Sequence, residues 1–290
     1  MDLQLRDTVA MVVGATGGIG SAVAEGFAAE GGQLALVGRD QTKLAKLAGD
    51  LGRYDVNRAT MTCDLRDEAQ PEVCVRQAEE RFGRVDILAV CAGNARRGGL
   101  ADVTDADFES TLQVKLMGPV RLVRAVLPGM RERRFGRIVL IGGLNGRNPT
   151  GHAVVGGAVN AGMANFARQI AKATAADGIT VNVVDPHHTR TARWEQRLDE
   201  LQRRHGISRG DAHTRAAAHL PIGRPVEPRE IADLVLFLSS PAPGPSTGPS
   251  SPSTAAPPTD SISDPPLTRA RRLRCTRARR SRRGRDRRRR

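Results

Sequence analysis

Short β-like runs and amphipathic stretches alternate along this chain from its N-terminus to about residue 240. The runs fall near 8–13, 33–37, 58–62, 86–90, 137–141 and 179–184, and each reads as a strand. Between them, apolar residues recur at helical spacing near 18–30, 41–50, 67–82, 105–131 and 152–176, each stretch long enough for a crossover helix. Strand and helix in this alternation predict an α/β fold, a doubly wound parallel sheet covered on both faces, because right-handed crossovers leave few other topologies. A ligand then sits at the carboxyl ends of the strands. About 240 patterned residues suffice for a single domain with a real core, so the expected division is a folded domain at 1–240 and a separate tail at 241–290.

The first crossover carries Gly14-Ala15-Thr16-Gly17-Gly18-Ile19-Gly20, straight after the apolar run Val9 to Val13 and straight before Ser21-Ala22-Val23-Ala24. Glycines here supply the turn's backbone angles, let a pyrophosphate approach bare amides, and allow the helix to pack closely on its strand. The helix start offers unpaired N–H groups and a partial positive charge. Strand, glycine turn and helix together predict a dinucleotide-binding Rossmann fold. The second strand ends Val37-Gly38-Arg39. An acid at that place accepts from ribose hydroxyls, whereas a base pairs with a 2′-phosphate. Arg39 has the planar fork that phosphate favours, which points to NADP rather than NAD; its other reading is a solvated surface charge. Asp40 reads as the cap of the next helix.

These motifs, with others in the same order, resemble the short-chain dehydrogenase/reductase (SDR) family over roughly residues 5 to 240, most of all the branch containing 3-oxoacyl carrier-protein reductases. Val13 to Gly20 resembles the family's Thr-Gly-x-x-x-Gly-x-Gly, with Val13 replacing the leading threonine. Asp64, in Thr62-Cys63-Asp64-Leu65, matches the aspartate that contacts the adenine ring. Asp86-Ile87-Leu88-Ala89-Val90-Cys91-Ala92-Gly93 matches the segment that usually ends Asn-Asn-Ala-Gly. Gly178 to Pro186 is similar to the sixth strand and its proline, and Thr191 falls on the threonine that meets the nicotinamide end. The resemblance implies that Gly14, Thr16, Gly18, Ile19 and Gly20 hold the coenzyme, with Arg39, Asp64, Ala92, Gly93, Pro186 and Thr191 completing its site.

Hydride transfer to a carbonyl needs a proton donor. The resemblance implies a tyrosine, a lysine four residues later and an orienting serine, but Gly143 stands in the serine place, Gly156 in the tyrosine place and Asn160 in the lysine place. Tyr54 is the only tyrosine and precedes the third strand, so no shift of register restores a phenolic acid. General acid catalysis typically contributes ~10² to 10⁴ in rate, so its loss is severe, while binding is left intact. Lys115, in Gln113-Val114-Lys115-Leu116-Met117-Gly118, replaces the family's asparagine on the preceding long helix and should point toward the nicotinamide pocket, where desolvation would lower its pKa. Its other reading is a structural ion pair or a snorkelling side chain. His152, His187 and His188 are further candidates for the donor, since imidazole is the usual side chain for such work near neutral pH, or are ordinary helix-start and loop residues.

After Thr191, an amphipathic helix holds the only tryptophan, Trp194, with Leu198 one turn on. The resemblance implies that this region forms a lid over the substrate, and the two residues suggest a substrate with an apolar portion, or else they only pack. The expected function is an atypical NADP(H)-dependent short-chain oxidoreductase that reduces a carbonyl or activated alkene on a partly apolar small molecule. The alternative is a catalytically silent nicotinamide-nucleotide-binding protein acting as sensor or scaffold.

Composition changes the picture mainly at the tail. Residues 241–290 hold nine of the chain's 17 prolines and carry 14 arginines against three aspartates, so +11 of the net charge of +14 lies there. No core can form from that composition, and a disordered arm able to attract polyanions nonspecifically is expected, without aromatic residues to stack on bases. Its Pro, Arg, Ala and Gly content and the lack of a last strand also fit a frameshift near residue 241. The missing strand predicts a lower oligomer than the family's tetramer, with a homodimer through the helices near 105–131 and 152–176. Cys63, Cys74, Cys91 and Cys275 lack metal-ligand spacing, so free thiols and no metal are expected. With no leader pattern at Met1-Asp2-Leu3-Gln4-Leu5-Arg6-Asp7 and no apolar run near the ~20 residues of a membrane span, a cytoplasmic protein is expected.

Overall fold

The computed structural model describes residues 2–218 and 220–240; the tail expected at 241–290 lies outside the described residues. Six strands, β1 (Val9–Val13), β2 (Gln33–Gly38), β3 (Arg58–Thr62), β4 (Ile87–Val90), β5 (Gly136–Ile141) and β6 (Ile179–Val184), form one parallel sheet in the order β3-β2-β1-β4-β5-β6. The order reverses between β1 and β4, where successive crossovers leave on opposite faces and open a crevice at the carboxyl ends.

Strand alternation sorts the side chains into two apolar layers. Met11, Val13, Leu88, Val90, Ile138 and Leu140 face α3 (Gln70–Phe82), α5 (Gly118–Arg133) and α6 (Val154–Thr174). Ala10, Val12, Ile87, Ala89, Val139 and Ile141 face α1 (Gly18–Ala29) and α9 (Pro228–Ser239). A sheet covered on both faces needs nearly continuous apolar strands, which is why the sequence marked them so clearly. Asp40 caps α2 (Gln41–Asp50), accepting from the Lys43 N–H at 3.1 Å. β6 ends the sheet among the described residues, and none of their helices is long and apolar enough to cross a membrane.

Three features differ from the pattern-based expectation. The helix expected from residue 67 starts at Gln70, after a turn in which the Asp67 carboxylate accepts from the N–H groups of Ala69 and Gln70 at 2.8 and 3.0 Å and so holds residues 67–69 outside the helix. The stretch 105–131 is not one helix: α4 (Asp105–Leu112) passes through a π turn at Gln113–Met117 into α5. Pro119 has no N–H for the Lys115 carbonyl four residues back and its ring crowds that carbonyl, which opens the turn. Beyond α7 (Ala192–His205), a further helix α8 (Arg209–Ala217) is capped by Ser208, whose hydroxyl accepts from the Asp211 N–H at 3.1 Å.

Below the sheet core, Asp86 is fully buried, accepts from the Val9 N–H at 3.0 Å and pairs with Arg84 at 2.7 Å and Arg133 at 3.8 Å. Asp86→Ala strands a buried donor and two guanidiniums, so urea unfolding should show a loss of roughly 3 kcal/mol, with a smaller loss for Asp86→Asn, which keeps an acceptor. Equal midpoints for wild type and Asp86→Ala would contradict this.

Candidate functional site

The crevice begins where β1 ends. Gly14 turns at φ +80°, and a Cβ there would lie 2.7 Å from the Ala92 nitrogen on the loop after β4. The N–H groups of Gly14 and Ala15 donate to the Val37 carbonyl at 2.8 and 3.0 Å, tying the turn to β2. α1 then opens at Gly18 with Gly17 as its cap, no side-chain cap bond and no acid in its first turn. Its leading N–H groups and the helix's positive end are left for an anion. Gly20 backs onto the Gly14 carbonyl, while a Cβ on Gly18 would stand 2.5 Å from Thr191 Cγ2. Thr16 lies beside Gly38, and Ile19 packs on the α1 face of the core. Space that side chains would fill, unclaimed donors and no negative charge give this cradle the form a dinucleotide pyrophosphate requires.

Arg39 is exposed at the carboxyl end of β2, and its charge reaches Asp64 beyond β3. The Asp64 carboxyl is held below the usual carboxylate range chiefly by Arg66, whose Nε lies 3.0 and 3.1 Å from its two oxygens, with Arg39 a smaller contributor and burial opposing. The aspartate expected at the adenine ring therefore already has a partner at the surface.

Lys115 lies in the π turn, buried, with its stem against Gly93: a Cβ on that glycine, at φ +145°, would meet Lys115 Cγ at 2.6 Å. Its Nζ donates to the Gly142 carbonyl at 3.2 Å. Burial, and then the positive charge of Arg193, bring its pKa down to about 8 against the pull of Asp185. Asp185 accepts from the Gly143 N–H at 2.9 Å and pairs with Arg147 at 3.4 Å. Asn160, buried, donates to the Gly143 carbonyl at 3.4 Å, and its Oδ1 is buried with no hydrogen-bond partner among the described residues. Gly156 is buried 3.2 Å, from where its Cβ would stand, to the Ala95 Cβ. Gly143, Gly156 and Asn160 thus surround the crevice floor without an ionisable side chain of their own, and the adjacent ionisable groups are Asp185, on the Gly143 N–H, and Lys115, on the Gly142 carbonyl. Tyr54 lies on the α1 face of the sheet, its hydroxyl 3.3 Å from Glu25 Oε1.

The histidines fare differently. His188 is pushed down to about 4 by burial and by the charges of Arg197, His187, Arg97 and Arg193, so it is neutral near pH 7 and does not serve as a general acid there. His187 is exposed and its Nδ1 accepts from the His188 N–H at 2.8 Å. His152 is exposed in the turn before α6, and its carbonyl takes the Gly98 N–H at 3.0 Å. Trp194 and Leu198 are buried with Ala212, Ala216 and Leu220 in a small core between α7 and α8. Of the two readings open for them, packing holds: both face inward, and Arg193 and Arg197 lie outside that core on the same helix. Those arginines and Asp185 escaped the sequence reading; the four-residue spacing of Arg193 and Arg197 on one helix was the available signal.

The short chain dehydrogenase family model matches residues 8–202. This chain belongs to the short-chain dehydrogenase/reductase family. A putative ketoacyl reductase of Streptomyces coelicolor is 33% identical over 235 residues, covering 80% of this chain and 90% of that protein. Among solved structures, L-sorbose reductase from Gluconobacter frateurii, complexed with NADPH and L-sorbose, superposes with a TM-score of 0.80 at 29% identity over 83% of this chain and 92% of that one. An NADPH-bound short-chain oxidoreductase from Pseudomonas aeruginosa PAO1, containing an atypical catalytic center, gives 0.75 at 29% identity over 81% and 92%. The family's fold thus spans the described domain, and Lys115 is a buried cation on its crevice floor.

Such burial sets a pH-dependent stability. The folded pKa of about 8 lies below the ~10.4 of an unfolded lysine, so charging Lys115 opposes folding below pH 8, and the penalty fades as pH rises from 8 to about 10.5. Without its coenzyme, Lys115→Met should be more stable than wild type at pH 7 by about 1 to 3 kcal/mol in urea unfolding, the gap closing by pH 10.5. A gap that stays constant across this range would refute the assignment.

Proposed function

We propose that this SDR chain is an NADP(H)-dependent reductase of a small-molecule carbonyl compound, with Lys115, which stands at the family's asparagine position, taking the proton-donor role of the tyrosine that Gly156 replaces. The observation that carries the reading is the Lys115 ammonium, buried between Gly93 and the Gly142 carbonyl at the carboxyl ends of β4 and β5, with a pKa of about 8. A general acid works best when its pKa lies near the working pH. Lys115 keeps a proton at Nζ at pH 7 and releases it readily to an oxygen that gains negative charge. The Gly142 carbonyl fixes its direction, and Asp185 supplies the opposing charge that keeps the proton on.

A bound nicotinamide coenzyme supplies the hydride. Gly14, Thr16, Gly18, Ile19 and Gly20 would hold its diphosphate, Arg39 its 2′-phosphate and Asp64 its adenine. Ala92 and Gly93 would form the floor, with Pro186 and Thr191 closing above. NADP is favoured by Arg39 at the end of β2, where Gly38 offers no acid for a ribose, and by NADPH in both structural relatives. The Pseudomonas aeruginosa relative, with its atypical catalytic center, is a family precedent for departing from the usual residues. The glycines at 143 and 156 favour one second reading, a coenzyme-binding protein without turnover.

Fluorescence titration should show NADPH binding more tightly than NADH, with Arg39→Ala weakening NADPH about tenfold or more, the loss of one charge-assisted phosphate contact. NADPH oxidation should be assayed with ketones, quinones, and oxoacyl and enoyl thioesters. Lys115→Gln should cut kcat/KM by ~10² to 10⁴ while leaving NADPH affinity nearly unchanged. Wild-type kcat/KM for reduction should fall as pH rises past about 8, where Lys115 loses its proton. Binding without turnover across this panel would favour the silent protein, and no affinity for either coenzyme would end both readings.

A further inference from the structure

The outer crevice holds more positive charge than coenzyme binding uses. Arg97 follows β4, while Arg193 and Arg197 lie four residues apart on α7, and the charges of all three reach His188. The Arg193 guanidinium donates to two neutral acceptors, Asn94 Oδ1 and the Ala95 carbonyl, the latter at 2.8 Å. Arg197 Nε is buried with no hydrogen-bond partner among the described residues. Nearby acids are engaged elsewhere: Glu195 and Asp199 on the same helix both pair with Arg209 of α8, Asp107 pairs with Arg96, and Asp185 with Arg147. Burial and then Arg97 lower the pKa values of Arg193 and Arg197, with Glu200 opposing only at Arg197.

Arg97 and Arg193 are exposed and Arg197 is half-buried, and guanidiniums that crowd one another with only Glu200 offsetting Arg197 are disfavoured; an oxyanion lowers that cost while accepting their forked hydrogen bonds. We infer that Arg97, Arg193 and Arg197 form a binding site for the anionic end of the substrate, a carboxylate or phosphate carried away from the carbonyl to be reduced. The site lies beside the proposed proton donor, since the Arg193 charge also reaches Lys115. This inference rests on the proposed reductase reading only in calling the ligand a substrate.

Trp194, the chain's only tryptophan, sits between Arg193 and Arg197 in sequence, with its ring 5.9 Å from that of His188 and 5.7 Å from that of His213, and so provides a single emitter next to this site. Its emission should be titrated with hexanoate, hexyl phosphate and uncharged hexanamide, using the full chain both free and saturated with NADPH. A saturable change with either oxyanion in both forms, at least about tenfold tighter than hexanamide, supports the site, and the tighter oxyanion identifies the group it takes. Arg97→Gln and Arg197→Gln should each weaken that binding about tenfold or more, the tail being unchanged in both. Equal affinity for hexanamide, indifference to both substitutions, or loss of oxyanion binding on NADPH saturation would overturn the inference. The last outcome would assign the cluster to the coenzyme. The titration needs no turnover, so a silent protein still shows the site, and a reductase of uncharged ketones still lacks it.

Discussion

The crevice exists because backbone passes where side chains would not fit. At Gly14 the β1 turn presses on Ala92, at Gly18 the start of α1 presses on Thr191, and at Gly93 the β4 loop lies against the stem of Lys115. These three contacts draw the loops after β1, β4 and β6 and the α4–α5 junction toward one point. The sheet provides the occasion, since its strand order reverses between β1 and β4. The glycines decide how close the loops come, and so whether bare amides, a lysine and the lid share one site.

The buried lysine works against that compactness. A pKa near 8 means that the fold bears a cost on the order of 3 kcal/mol for a charged Lys115 at neutral pH, a sizeable part of a typical domain's 5 to 15 kcal/mol stability. The two continuous apolar layers on either face of the sheet are what offset it. The π turn at Gln113–Met117 places the residue, since Pro119 opens the helix where Lys115 must turn inward. Such a cost at a crevice floor, with no acid hydrogen-bonded to the ammonium, is common for groups that work in proton transfer.

Most of the fold was legible because its signals are local. All six strands lie close to where the runs placed them, and the capping role of Asp40 followed from its position before a helix. The glycine turn was legible for the same reason, being sterically demanding within seven residues. What was not legible depends on contacts between distant segments. Trp194 and Leu198 left packing and a substrate wall both open because the helix that covers them, α8, is short and alanine-rich with little periodic signal. Asp185 falls within the Gly178–Pro186 strand end with no local signal of a role, yet its bonds to Gly143 and Arg147 cross from β6 to the loop after β5. The inward turn of Lys115 was expected from helix register, although the regular helix assumed there is broken at that residue.

Arg193 joins the lid to the crevice floor. It donates to Asn94 and Ala95 across the opening, and its charge also pushes Lys115 toward the neutral form. Filling the crevice with an oxyanion-bearing ligand acts on Lys115 in two opposite ways. The anion offsets Arg193 and raises the lysine pKa, while the ligand's bulk displaces water and lowers it. Burial already outweighs Arg193 in depressing Lys115. Removal of the remaining water therefore acts through the larger effect, and a lysine of reduced pKa persists when the site is occupied. Under the proposed reading, arginines on α7 are compatible with a lysine acid beside them, because a bound oxyanion would offset the charge that, after burial, most favours the neutral amine.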